Sequence, residues 1–429
     1  MADREALTDN HSREPVPDSE TVGGLRIATV LIGVFITLPA FLIGAEVLAG
    51  LGAVKGLTAI GGAAAILVCA MALTMHVGAR TRLSTYNLIG RAFGETGALI
   101  VNGVLTLTLI GWYGVTAMLF GRACAAALGG WLDVAFPEEL FAALGSVLMI
   151  TTTVFGFRAI GRLSRVAVPL LLALLIAGAY RTVSQTTWDT LLQAPPDSAD
   201  IRSVGHALSI LIGASMVGVA IVPDLARFAK DTAASLRAAV LSHGLGYPLV
   251  LGLAGLPALV TGSQDLIGNM IAIGLGLPAL LVVVFATWTT NANNLYSASL
   301  VLAKIWPRAH DWVITLTAGV LGTGLALAGI LEHFIGFLEL LSVTIPPIAG
   351  IYVVDYFSGR LAGREAGVRP PVNWVAFLAW AAGTTVSAKA ADWGLTLTMV
   401  PACDAMLVAA MAYAGGMTAL RRVGKPRAG

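Results

Sequence analysis

Apolar stretches of about 20 residues, the length that crosses the hydrocarbon core of a bilayer, recur along most of this chain. About twelve can be placed at that length. They centre near Ile36, Ile66, Leu109, Leu148, Leu171, Ile212, Val250, Ala286, Ala318, Val343, Leu378 and Ala409. In lipid the backbone must satisfy its own hydrogen bonds, so runs this long are helices. The pattern predicts an all-α, polytopic membrane protein with one transmembrane domain over residues 23–420. Residues 1–22 break the pattern. They are polar, mixed in charge and too poor in apolar side chains to pack, and read as a disordered cytoplasmic tail. With no apolar core of their own they are not a signal peptide. Residues 421–429 read as a short basic tail on the same side.

Composition agrees: 57% of residues are hydrophobic and 12% charged, and mean hydropathy is +0.83. Soluble domains carry about a quarter charged residues. The basic residues fix an orientation. Arg80, Arg82, Arg91, Arg158, Arg162, Arg165, Arg227, Lys230, Arg237, Lys304, Arg308, Arg360, Arg364, Arg369 and the C-terminal Arg421, Arg422, Lys425 and Arg427 fall on one side. The other side keeps Lys55, Arg122, Arg181, Arg202 and Lys389. The excess lies inside by the positive-inside rule, so both termini are expected in the cytoplasm of a bacterial-type inner membrane. The net charge of +2 is explained by topology and does not point to nucleic acid. Cys69, Cys124 and Cys403 have no metal-ligand spacing and read as inert thiols. There is no Walker loop and no HExxH, and the run Gly213–Val217 lacks the second glycine of a nucleophile elbow. The reading is therefore not an enzyme.

Two spans carry interruptions. Span 1, GVFITLPAFLIGAEVLAG, has Pro39 near its middle, which frees carbonyls near Gly33 to Thr37. Span 6, ILIGASMVGVAIV, has Gly213, Ala214 and Ser215 at its centre, where small residues permit either unwinding or close helix approach. Glycine and proline are common in membrane helices and often serve packing alone. Interruptions in the first and sixth spans fit two inverted five-span repeats, at about 24–185 and 203–358, with peripheral helices at about 371–419.

Span 8 contains ATWTTNANNLYSAS, too polar to face lipid. Thr290, Asn293, Asn294 and Ser297 stand at i, i+3, i+4 and i+7 and share one helical face, with Thr289 beside them. Such a stripe is either a hydrogen-bonded helix seam or the wall of a polar site. The carbonyl of Ala286 with the hydroxyls of Thr289 and Thr290 puts three oxygens at one level. Carbonyls of a broken span 1, such as those of Gly33 and Ile36, would add two. Five neutral oxygens suit Na⁺, which favours a coupling-ion site.

The stretch LPALLVVVFATWTTNANNLYSASLVLAKI resembles span 8 of the nucleobase:cation symporter family, cytosine permease type. Span 10, FIGFLELLSVTIPPIAGIYVVDYF, is similar to the same family, as are DLARFAKD after span 6 and GWYGV in span 3. The likeness runs from span 1 to about Trp374. It implies a LeuT-like fold of twelve helices and uptake of a nucleobase or related N-heterocycle driven by Na⁺ or H⁺. It implies Na⁺ ligands at Gly33, Ile36, Ala286, Thr289 and Thr290. It also implies a substrate site between spans 1, 3, 6 and 8, at Thr37, Leu109, Trp112, Ser215, Asn293 and Asn294, with Trp112 as the stacking platform. Cytosine-carrying members have glutamine where Leu109 stands, an aromatic residue and a serine at the level of Ser215 and Val217, and asparagine where Ala286 stands. The groups that would hold cytosine are thus altered. Hydroxymethylpyrimidine (the pair Ala45-Glu46 resembles its carriers), hydantoin and allantoin are the alternatives.

Carboxylates inside a membrane are functional candidates by default. Glu46 follows the span 1 break and Glu339 precedes Pro346-Pro347 in span 10. Either would carry a coupling proton or bind a substrate amino group, unless it lies wet at the outer mouth. Asp224 and Asp355 read as salt-bridged helix ends beside Arg227 and near Arg360, His76 and His206 as structural, and Arg122 as snorkelling. A passive channel would need a continuous polar lining, whereas the polar residues cluster at mid-membrane. The expected partners are a small heterocycle and the lipid bilayer. The oligomeric state is left open, and a monomer is compatible with it.

Overall fold

A computed structural model describes residues 15–154, 157–193, 201, 203–261, 276–306, 308–359, 370–394, 396–398 and 400–423. Each expected span coincides with helix. The first is broken: α1 (Gly24–Phe35) gives way at Ile36 and Thr37 to α2 (Leu38–Thr81). Ile36 (φ −81°, ψ 69°) and Thr37 (φ −140°, ψ 155°) are not helical. Pro39 does not kink a continuous helix. It sits in the first turn of α2, where its missing N–H costs nothing. At 44 residues α2 would reach ~66 Å, twice a bilayer core. It bends at Gly52, whose φ of 73° and ψ of 172° reverse the path, so that α2 supplies the end of span 1 and all of span 2.

A short helix, α3 (Thr85–Phe93), is capped by the Ser84 hydroxyl and ends at Gly94. Then come α4 (Glu95–Leu132), α5 (Glu138–Val154), α6 (Phe157–Gln185) and the short α7 (Trp188–Gln193). The second half opens with α8 (Val204–Ile221), followed by α9 (Pro223–Ala226), α10 (Thr232–Ala239) and α11 (Tyr247–Thr261). A π-helical stretch, Val240–Gly246, joins the last two into span 7. Next are α12 (Gly276–Ile305) and α13 (Asp311–Leu327). Span 10 is split at Ile345 into α14 (Phe334–Thr344) and α15 (Pro346–Phe357), and α16 (Trp374–Trp393) and α17 (Pro401–Val423) complete the chain.

Span 6 is not unwound. α8 runs unbroken through Gly213, Ala214 and Ser215. The glycine serves the other purpose open to it, close approach: a Cβ there would lie 2.7 Å from the Leu338 carbonyl oxygen of α14. Among the described residues there is no β-strand, only an isolated bridge between Val22 and Ala229.

That bridge alters the reading of the N-terminal tail, whose residues 1–14 lie outside the described residues. Residues 15–22 are mostly exposed but are tied to the bundle at a few points. Val16 is buried, and its N–H donates to the Arg82 carbonyl. The Arg82 guanidinium donates to the carbonyls of Arg227, Ala229 and Lys230 and to the Asp18 carboxylate. These contacts tie the segment to the C-terminal end of α2 and to the turn between α9 and α10.

Asp224 accepts from the Thr85 N–H at 2.8 Å and so caps α3, while Arg227 Nε donates to the Asp224 carbonyl. Burial pulls the Arg227 guanidinium down from the ordinary arginine range, and Asp224 pulls it back up. Asp355 is not an exposed helix end. It is fully buried and accepts from the Tyr413 hydroxyl at 2.7 Å, because α17 lies across α15 (Arg360 lies outside the described residues). The outer flanks of the bundle carry large exposed apolar side chains such as Leu25, Leu107, Leu144, Val320, Leu378 and Leu407. In water so much exposed apolar surface would be an anomaly; facing lipid it is required.

Candidate functional site

The break in span 1 opens onto a cavity of about 210 Å³ at the centre of the helix bundle. Most of its wall is apolar: Val34, Phe35, Pro39, Leu109, Trp112 and Val217 among others. Seven polar side chains reach it, Thr37, Thr116, Ser215, His243, Tyr247, Thr290 and Asn294. A mostly apolar cavity with a few convergent polar groups is the usual form of a small-molecule site.

Six of the proposed residues meet here. Thr37 comes from the span 1 break, Leu109 and Trp112 from one face of α4, Ser215 from α8, and Thr290 and Asn294 from α12. The Trp112 ring is held edge-on by Phe334 (centroids 6.0 Å apart) and Phe337 (5.6 Å), both from α14. Its plane is therefore set by span 10.

The polar stripe of α12 divides. Thr290 and Asn294 face the cavity. Asn291 and Trp288 make a helix seam: Asn291 Nδ2 donates to the Tyr113 carbonyl at 3.0 Å, and Trp288 Nε1 to the Thr152 hydroxyl at 3.0 Å. Asn293, expected at the substrate, is exposed and outside the cavity wall. One residue is about 100° of helix, which carries Asn293 past the edge of the cavity that Asn294 lines.

Around the expected ion site, Ile36 and Ala286 share one buried apolar cluster with Phe41, Ala123 and Leu171, so spans 1 and 8 meet at this level. Thr289 is buried and its hydroxyl donates to the Ala286 carbonyl at 2.9 Å. That bond uses the hydroxyl proton and leaves the oxygen lone pairs for a cation. Gly33, one turn before the break, is half-buried, with open space where a Cβ would stand.

The two membrane carboxylates do not join the cavity. Glu46 is half-buried two turns beyond Pro39, outside the wall. Glu339 has a side chain 54% exposed and pairs with His206 at 3.2 Å. The face of α14 that meets α8 is taken by Leu338 and Ser342, which turns Glu339 outward. It lines a separate surface crevice with Ser203, Ser209 and Asp404.

Sequence reasoning missed His243 and Tyr247 of span 7. The only sign of them was a histidine and a tyrosine four residues apart in an apolar run, which places both on one helical face.

Residues 15–414 match the family model described as permease for cytosine/purines, uracil, thiamine, allantoin. The chain belongs to that permease family. It is 30% identical to the cytosine permease of Escherichia coli K12 over 87% of this chain and 88% of that one. It is 24% identical to the hydantoin permease of Microbacterium maritypicum, over 88% and 84% of the two chains. Its fold matches the closed, bromovinylhydantoin-bound structure of Mhp1, a nucleobase-cation-symport-1 transporter, with a TM-score of 0.77 at 20% identity, covering 96% of each chain. The permease thus has the LeuT-type arrangement of two five-span repeats with two helices outside them.

Proposed function

We propose that this permease is a secondary symporter that imports a flat nitrogen heterocycle of nucleobase or hydantoin type, coupled to Na⁺, by alternating access. The observation that carries the reading is the central cavity. It joins the broken backbone of span 1, the Trp112 ring and the Thr290–Asn294 face in one partly open cavity of about 210 Å³, room for a single small ring. An indole face is a good platform for such a ring, and the Asn294 amide supplies in-plane hydrogen bonds. Five neutral oxygens, the carbonyls of Gly33, Ile36 and Ala286 with the hydroxyls of Thr289 and Thr290, hold the ion. Ion binding fixes the span 1 break against α12 and so orders the pocket, and by linkage the substrate strengthens the ion in return. The same reading takes 24–185 and 203–358 as the repeats and puts both termini in the cytoplasm of a bacterial inner membrane. It gives Glu46 and Glu339 no part in substrate binding.

The test is equilibrium binding of cytosine, hydantoin, 5-substituted hydantoins, allantoin and hydroxymethylpyrimidine to the purified protein, with Na⁺ or with choline. At least one heterocycle is expected to bind, more tightly in Na⁺. Equal affinity in both salts would remove the sodium assignment. No binding by any of them would remove the substrate class.

A further inference from the structure

One cavity group has a fixed direction. His243 sits in the π-helical stretch Val240–Gly246, a geometry found mostly at functional sites. Its side chain is 1% exposed, yet it forms part of the cavity wall. Its Nδ1 is 3.0 Å from the Ser242 hydroxyl oxygen. That hydroxyl has one proton, which it donates to the Ala238 carbonyl at 2.7 Å. The Ser242 oxygen therefore accepts from the ring, and Nδ1 carries the hydrogen. A neutral imidazole with its proton on Nδ1 presents a bare lone pair at Nε2. Among the described residues Nε2 has no hydrogen-bond partner.

The ring is also held in place. Phe35 meets it edge-on at 4.7 Å and Tyr247 stacks at 6.2 Å, with the Tyr247 hydroxyl tied to the Leu211 carbonyl. The hydroxyls of Thr37, Ser215 and Thr290 and the amide of Asn294 can each donate or accept. The Thr116 and Tyr247 hydroxyl protons are spent on the Trp112 and Leu211 carbonyls, and His243 is the cavity's nitrogen acceptor with its role set in advance.

We propose that His243 is a specificity-determining residue: its Nε2 accepts a hydrogen bond from an N–H on the edge of the bound heterocycle. This rests on the heterocycle reading above. A buried acceptor left without a donor is costly, and a site built around such a bond rejects analogues that lack it. Rings with an N–H on that edge are favoured, and the same rings methylated at that nitrogen are rejected.

The test uses the purified full chain with cytosine, hydantoin and the derivatives of each methylated in turn at every N–H. In the unaltered protein, one methylated derivative of the bound ring is expected to bind roughly tenfold or more weakly than its parent. His243→Phe, which keeps a flat ring without the acceptor, should bring that ratio close to one. His243→Gln, whose amide oxygen reaches toward the Nε2 position, should restore part of it. The inference is overturned if His243→Phe keeps the discrimination, or if it weakens parent and derivative by the same factor, as a merely structural role would. It is also overturned if the unaltered protein binds parent and every derivative alike, a result that needs no variant to fold. Binding of no heterocycle at all overturns the heterocycle reading and this inference together, whereas the other outcomes leave that reading standing.

Discussion

Trp112 offers the largest flat surface in the cavity wall, and Phe334 and Phe337 lock its orientation. Trp112→Ala should weaken binding of any heterocycle by roughly tenfold or more, the scale of lost aromatic stacking and contact area. Trp112→Phe should recover part of the affinity. Calorimetric titration of both variants checks this, and affinity equal to the unaltered protein would end the stacking role. For the ion, Thr289→Ala with Thr290→Ala should abolish the Na⁺ dependence of binding and leave the fold intact. The Thr289 hydroxyl donates only within its own helix, so its loss breaks no contact between helices. A double mutant that still responds to Na⁺ would rule out this oxygen cage. At this scale the sequence was legible where spacing is local: Ala286, Thr289 and Thr290 fall together because a helix puts i, i+3 and i+4 on one face. Asn293 and Asn294 could not be told apart, because the edge of the cavity is set by spans 1, 3 and 6, far away in the chain. Glu339 drew attention by its charge alone, whereas its outward direction follows from how α14 packs on α8.

Among the elements, the interruptions differ in how far the chain announces them. The break before α2 was readable because proline restricts the backbone wherever it stands. Span 6 was ambiguous, since a Gly-Ala-Ser run serves unwinding and close packing equally, and only the Leu338 carbonyl against Gly213 decides between them. The π-helical stretch gave no sign, as VLSHGLG is ordinary apolar helix sequence. Gly52 is the element-scale position with the sharpest demand. Its φ of 73° lies where a Cβ is penalised, and the whole reversal from span 1 to span 2 passes through it. Gly52→Ala should cost about 1–3 kcal/mol and lower the melting temperature. Gly218→Ala is the control: it lies inside α8 with nothing within 4 Å of the added methyl, and should be neutral or mildly stabilising. Equal melting temperatures for the two variants would mean that the turn does not depend on glycine.

Across the whole molecule, the cavity and the outer scaffold draw on different helices. Among the described residues, its wall comes from α1, α2, α4, α8, span 7 and α12, with none from α16 or α17. Those two are tied on by buried polar bonds instead. Tyr413 of α17 donates to Asp355 of α15, and Asn373 at the start of α16 donates to the Ala92 carbonyl of α3 at 2.7 Å. The peripheral pair is expected to serve stability rather than recognition, and one variant separates the two. Tyr413→Phe deletes a single hydroxyl, which donates to the buried Asp355 carboxylate and accepts from Asn373 Nδ2, a loss of about 1–3 kcal/mol. The melting temperature should fall by several degrees, while the affinity for heterocycle and its Na⁺ dependence stay as in the unaltered protein. If affinity fell together with stability, α17 would be coupled to the cavity through α15 and the Ile345 break of span 10. That span also holds Trp112 in place through Phe334 and Phe337. Unchanged affinity would instead confine the working parts to the cavity-lining spans and α14, with the last two helices as a fixed brace.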